Sequence, residues 1–420
     1  MGQTIAQKLL AKASGQPKVQ PGKIMEVKLD RIMIHEGIGW GIADAIKNLG
    51  VDRLADPDKV VALFDHFAPP PNEAAANFHR LCRKFVSDFG IKEFHDMRKG
   101  ICHQVMVEDY VNPGEVIIGS DSHTTTYGAL GSFATGLGFT DVALAMVKGK
   151  IWFKVPETIR IDLIGKMSDG VSAKDVALEL LGRLKADGAN YLSCEFGGQG
   201  LNNLSVDGRL SICNMSAEMG AKVALMPVDN QVTEYLQLLG RPVLPDAILE
   251  PDPDAIYRER LVVDLSELTP RVALPHSPDN VCPVTGAESV NVDQVFIGSC
   301  SNGRLEDMRA ASAILRKNRV HSRVRLIVIP ASYRVLSSMA SEGLLDVFIK
   351  AGAVIGPSTC GPCFGGHFGL LGEGEVCVST STRNFVGRMG SKRASVYLAS
   401  PQTAAASSVA GYLTDPRKLL

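Results

Sequence analysis

Short runs of β-branched residues recur along the chain, and each gives way to Gly, Ser, Asp or Pro: Val116-Ile-Ile-Gly-Ser-Asp121, Ile159-Arg-Ile-Asp-Leu-Ile164, Val292 to Ile297 and Val324-Arg-Leu-Ile-Val-Ile329. Between them lie stretches such as Ala173 to Leu184 and Arg304 to Leu315, whose apolar positions repeat with the period of a helix that buries one face. Strands that alternate with helices predict an α/β fold of α/β/α layered domains with largely parallel sheets. Such sheets present functional groups at the carboxyl ends of their strands, so the polar residues just after each run are where chemistry is expected.

Two seams stand out. One lies near Val155-Pro156; the other, 270–286, carries Pro270, Pro275, Pro278 and Pro283 and reads as a linker. Three α/β domains follow, at 1–156, 157–280 and 281–420. No apolar run approaches the ~18 residues of a membrane span, and the start, Met1-Gly-Gln-Thr-Ile-Ala, lacks the apolar core of a signal peptide. A cytoplasmic protein is expected. The 44 Lys and Arg nearly balance the 45 Asp and Glu, so no broad field recruits nucleic acid or an anionic membrane. Nine cysteines, an odd number without a secretory signal, point to reduced thiols rather than disulfides.

Three of those cysteines change the picture. Cys300 sits in Val295-Phe-Ile-Gly-Ser-Cys-Ser-Asn-Gly-Arg304, and Cys360-Gly-Pro-Cys363 follows in another Gly/Ser/Pro-rich loop. Three thiolates can hold three corners of a [4Fe-4S] cluster and leave the fourth iron free to act as a Lewis acid. A CxxC pair also serves zinc and redox sites, and His367 could complete a zinc set. A purely structural pair is the third reading, and spacing alone leaves all three open.

The loops upstream carry acids beside imidazoles: Asp65-His66, Cys102-His103-Gln104 and Asp121-Ser122-His123. An Asp next to a His fixes its tautomer and raises its basicity, which suits proton transfer near a metal. Taken singly, each could be a helix cap or a core histidine. In Asn214-Met-Ser-Ala-Glu218 a helix would put Asn214 and Glu218 on one face among apolar neighbours, where a carboxylate needs a partner. Arg383 and Arg388, in a Ser/Thr/Gly-rich loop after the CxxC, offer guanidinium forks for carboxylates. The glycines of Gly37-Ile-Gly39-Trp-Gly41 and Gly136-Leu-Gly138 complete no phosphate loop and read as turns or close packing.

In this order, these motifs together with Gly-Arg-Met-Gly390 and Ser400-Pro-Gln-Thr-Ala-Ala-Ala406 closely resemble the aconitase superfamily, and within it the large subunits of the 3-isopropylmalate dehydratase and homoaconitase branch. The resemblance implies that Cys300, Cys360 and Cys363 ligate a [4Fe-4S] cluster. It implies that Asp65, His66, His103, Asp121, His123 and Glu218 line the site, that Ser122, Asn214 and Asn302 support it, and that Arg383 and Arg388 hold substrate carboxylates. The implied activity is that of a hydro-lyase of biosynthesis, acting on a malate-type hydroxy acid. A separate small subunit carrying the swivel domain is the implied partner, since the chain ends at Leu420, a few residues beyond its third domain. Two departures bear on selectivity: Thr382 stands where the family usually has Asn, and His35-Glu36-Gly-Ile-Gly-Trp40 differs from the usual form. They keep open a dehydratase for citramalate- or dimethylmalate-like acids. A different class, a cluster- or zinc-bearing sensor, would have no use for the acid/base set and the two arginines.

Overall fold

The computed structural model describes residues 2–420, the side chain of Trp40 excepted, so the expectation placed on Trp40 falls outside the described residues. Three large sheets occupy successive stretches of the chain, beside a small antiparallel pair, Ile24–Lys28 with Lys150–Lys154. The first is wholly parallel, in the spatial order Glu93–His95, Val60–Leu63, Arg31–His35, Val116–Gly119, Phe133–Gly136. Its runs are apolar without alternation because both faces are covered. Ile32, Ile34, Val60, Ala62, Val116 and Ile118 enter one core, while Met33, Val61, Leu63 and Ile117 enter another that continues into the second sheet. The second sheet is also parallel, ordered Val223–Leu225, Ser193–Gly197, Thr158–Ile164, Glu259–Asp264. The shared core fixes the two layers against each other, which is what a site between them requires.

The third sheet has seven strands: Val281–Pro283, Arg271–Ala273, Ser395–Ala399, Val376–Ser379, Gln294–Ile297, Arg325–Val328 and Val354–Ile355. The last five run parallel, and the first two are antiparallel additions at one edge. The proline-rich stretch expected to be a linker therefore supplies two strands. Proline lacks an N–H for the ladder, yet Pro283 lies in the outermost strand, where one side of the ladder is unused. The helix at Ala173–Leu184 spans the residues expected of it, and Leu305–Leu315 starts one residue late. Gly37, Gly39 and Gly41 are not turns but lie inside the helix Glu36–Asn48, where a Cβ on Gly41 would come 3.1 Å from Phe139. Among the described residues, no helix is long and apolar enough to cross a membrane.

Candidate active site

Strand order in the first sheet reverses between Arg31–His35 and Val116–Gly119, and the crevice outside their carboxyl ends is where such sheets bind ligands. His35 and Glu36 leave the first of these strands, Ser120 to His123 leave the second, and Asp65-His66 follows Val60–Leu63. The third sheet turns the same end inward. Cys300 follows Gln294–Ile297, Thr380 to Arg383 follow Val376–Ser379, and the CxxC follows Val354–Ile355. A close backbone approach shapes the centre: a Cβ on Gly136 would sit 2.3 Å from the Asp121 carbonyl, so only glycine lets the Asp121 loop lie against its neighbouring strand.

Asp121 is the hub. Its Oδ1 accepts from His103 Nε2 at 2.8 Å, from His123 N at 2.8 Å and from His123 Nδ1 at 3.2 Å. The other nitrogen of His123 reaches Glu218 Oε1 at 2.8 Å. A ring bonded to carboxylates through both nitrogens must donate from both, so His123 is an imidazolium. Burial opposes this, but Asp121 and Glu218 overcome it and raise the His123 pKa, while the histidines hold Asp121 well below the usual carboxylate range. His103 donates to Asp121 through Nε2, which leaves Nδ1 to accept from the Tyr127 hydroxyl at 3.0 Å.

A second dyad stands beside it. Asp65 is buried, accepts from His66 Nδ1 at 2.7 Å and takes the Cys102 N–H at 2.7 Å. Burial works against the His66 cation, but the Asp65 carboxylate outweighs it and pushes the ring up to about 10. Nδ1 is committed, so Nε2 is the nitrogen free to serve a ligand. The loop is tied down from below by Glu36, whose carboxyl receives the Asp65 N–H at 3.0 Å and the Phe67 N–H at 2.6 Å.

Glu218 finds the partners its burial demands: His123, and Arg383 Nε at 2.8 Å. It does not share a helix with Asn214, as the spacing had suggested. The helix Val206–Met215 ends and a tighter turn, Ser216–Met219, carries Glu218, closed by Gly220 in the left-handed conformation. Arg383 Nη2 also donates to Ser122 Oγ at 2.8 Å, and Arg388 Nε to the Cys363 carbonyl at 2.8 Å. Both arginines keep further N–H groups for a substrate. His103 and Cys102 begin a helix, Cys102–Asp109, rather than lying in a loop.

The three cysteines are buried and unbridged. Burial, the neighbouring Cys363 and Asp121 push the Cys300 thiol up to about 12, and burial with Asp65 and the other two thiols raises Cys360 further. A nest of this kind holds thiolates only against a cationic centre. Asn214 Oδ1, on the side chain that touches Cys300, is buried without a hydrogen-bond partner, as is Thr382 Oγ1. Among the described residues the three sulfurs do not gather within 4.8 Å of one another. A single tetrahedral zinc with ~2.3 Å bonds would draw them to about 3.8 Å. His367 gives its Nε2 to the Pro69 carbonyl at 2.6 Å instead of completing a zinc set. The wider trio fits a multi-iron cluster.

Asn214 Nδ2 lies 3.3 Å from Cys300 Sγ and 2.9 Å from Thr126 Oγ1. Asn302, expected near substrate, instead gives its amide to Asp307 at 2.9 Å and to Ser211, on the far side of the Cys300 loop. Residues the sequence reading passed over also shape the site. Glu36 was visible as an acid directly at a strand end; Tyr127 left no signal. Arg304 lay inside a quoted motif without a role, and Lys174 was one polar position on a helix.

A model described as Aconitase family (aconitate hydratase) matches residues 10–290 and 285–411. The chain is 49% identical to the 3-isopropylmalate dehydratase large subunit 1 of Methanopyrus kandleri, over all of both chains. It is 44% identical to the methanogen homoaconitase large subunit of Methanocaldococcus jannaschii, covering 98% of this chain and 99% of that one. Among solved structures, aconitase X of Thermococcus kodakaraensis superposes with a TM-score of 0.51 at 13% identity, over 90% of this chain and 89% of that one, a likeness of fold.

Proposed function

The chain belongs to the aconitase family and is a hydro-lyase of it, and on that premise we propose that it reversibly dehydrates a malate-type hydroxy di- or tricarboxylate of the 3-isopropylmalate or homoaconitate class. The observation that carries this reading is the convergence of two Asp-His dyads, the Glu218–Arg383 pair and three buried, unbridged thiols on one crevice. A sensor would need the thiols alone. We further propose three domains at about 1–156, 157–280 and 281–420, and a cytoplasmic location, which nine unbridged cysteines favour.

In this reading Cys300, Cys360 and Cys363 hold a [4Fe-4S] cluster. When bound, the cluster supplies a Lewis acid that polarises the substrate hydroxyl and a carboxylate. Arg383 and Arg388 orient carboxylates with the guanidinium edges they leave free, and Ser122 and Glu218 fix the Arg383 plane. His66, charged through Asp65 and free at Nε2, gives its proton to the departing hydroxyl. Asp121 holds the His103 and His123 rings in fixed orientations, so the wall opposite is organised before substrate arrives.

The base that takes the carbon-bound proton is assigned to a separate small subunit, as the resemblance implies. The relatives' names as large subunits, matched over their full length, support that assignment. Relatives named for the two acids stand at 49% and 44% identity, so overall similarity does not separate them. Anaerobic reconstitution with iron and sulfide, addition of a candidate small subunit and a screen of malate-type acids will. Turnover should appear only with both subunits present; full turnover by the cluster-loaded chain alone would refute the division of labour. Arg383→Lys should leave iron content unchanged while raising KM about tenfold to a hundredfold, because an ammonium cannot hold Glu218 and a carboxylate as a planar fork does. Loss of iron in that variant would move Arg383 from substrate binding to cluster support.

A further inference from the structure

Lys174 enters the first turn of the helix Ala173–Leu184 and is completely buried. Its Nζ donates to the Ser381 carbonyl at 2.7 Å, the Thr380 carbonyl at 3.0 Å and Ser301 Oγ at 3.3 Å, and touches Met215 Sδ at 3.5 Å. None of these groups is charged. Arg304 is as deeply buried, and its guanidinium binds Gln104 Oε1, Ser211 Oγ and the carbonyls of Cys300 and Ser301. Neither side chain is within salt-bridge distance of a carboxylate among the described residues. Two buried cations thus flank the Cys300 loop with only neutral partners, an arrangement that costs several kcal/mol per ion unless a countercharge stands nearby.

Carboxyls stand nearby but form no ion pair with either cation: Asp207, Glu306 and Asp307 act on Arg304, and Asp307 and Glu218 on Lys174, only through their fields. Asp307 is itself pushed up to about 7 by burial, so it is only partly ionised near neutrality. Burial drags the Lys174 ammonium down to about 8, and the groups whose fields oppose that loss are, in order, Asp307, Cys300, Cys363 and Glu218. As thiols the two cysteines offer nothing; as cluster ligands they are thiolates that outweigh the charge of the iron–sulfur core and leave the ensemble anionic.

We infer that Lys174, backed by Arg304, is the countercharge and positioning residue of the cluster, neutralising the thiolate ensemble from behind while clamping the Thr380–Ser381 carbonyls that lead to Thr382 and Arg383. The inference rests on the ligand trio proposed above. It accounts for an ammonium that the protein alone leaves unpaired, and it makes cluster and substrate loop share one fastening.

The test uses the full chain as wild type, Lys174→Met and Lys174→Arg, each without and with the reconstituted cluster. Without cluster, Lys174→Met should unfold at the wild-type temperature or above it, since it removes an uncompensated charge. With cluster, it should release iron to a chelator about tenfold faster, a decade per ~1.4 kcal/mol of lost attraction. An EPR-monitored titration should place its cluster reduction at a lower potential, because the reduced form carries the extra negative charge. Lys174→Arg should recover most of both. Wild-type iron release and potential in loaded Lys174→Met would overturn the inference, as would a cluster-free Lys174→Met that fails to fold, which marks a plain structural tie. A wild-type chain that takes up no iron–sulfur group would instead overturn the ligand assignment, and the inference with it.

Discussion

Cys360→Ser should strip the protein of its cluster while leaving its fold in place. The backbone of Cys360 is held by the Asp65 carbonyl, which accepts its N–H at 3.0 Å, and that bond survives the substitution. The sulfur makes one polar contact, 3.9 Å from Asp65 Oδ2, and otherwise packs among Ile101, Ala331 and Cys300. Serine costs little in packing, but its hydroxyl stays protonated near neutrality and is a hard ligand where iron–sulfur chemistry needs a soft thiolate. After anaerobic reconstitution, bound iron and sulfide should fall to background, the visible absorbance should vanish, and turnover with the small subunit should drop by more than about a thousandfold. Circular dichroism should match the wild type. A Cys360→Ser protein that keeps full iron and sulfide would remove Cys360 from the ligand set and give its corner of the cluster to another residue. The contrast with Arg383→Lys, which should keep its iron, separates ligand from substrate binder.

Much of this site could be read before any coordinates, for a reason particular to parallel sheets. Chemistry gathers where apolar runs end, and the ends of Val116–Gly119 and Gln294–Ile297 are legible as composition changes from β-branched to Gly, Ser and Asp. Asp121, His123 and Cys300 were found that way. What composition cannot carry is pairing. That one oxygen of Asp121 serves both His103 and His123 depends on the start of the helix Cys102–Asp109 meeting the turn that follows Val116–Gly119. The spacing of Asn214 and Glu218 suggested one helix, but Gly220 closes the segment early, and Glu218 turns to a histidine 95 residues away. Lys174 was illegible for a deeper reason. A lysine at a helix start usually signals solvent, and only its neutral surroundings in three dimensions mark it as unusual. The prolines near 270–286 misled because proline marks both linkers and outermost strands.

Asp65→Asn carries the second large effect, and it is a statement about pH. In the wild type the Asp65 carboxylate overrides burial and pushes His66 up to about 10, so the ring stays charged across the neutral range. If His66 delivers the proton to the departing hydroxyl, the dehydration rate holds below that value and falls as pH rises through it. Asparagine can still accept the Cys102 N–H, which preserves the loop, but it removes the charge that sustains the imidazolium. What remains acting on His66 is burial, which lowers it, against the weaker fields of Glu36 and Asp121, which raise it; stacked on it at 4.1 Å lies His35, another ring, whose own pKa burial and His66 lower to about 4. With its largest support gone, the His66 pKa should fall well below about 10, toward or under the ordinary ~6.5. At pH 8 the variant should dehydrate about a hundredfold to ten-thousandfold more slowly, and its profile of kcat against pH should gain rate toward acid where the wild type is flat. Iron content should stay at the wild-type level, because Asp65 ligates nothing in this reading and Cys360 is held by its backbone carbonyl. An Asp65→Asn profile that is merely scaled down, with its alkaline limb unmoved, would show that His66 is not the proton donor. The charged ring at His123, fixed between two carboxylates, would then be the next group to test.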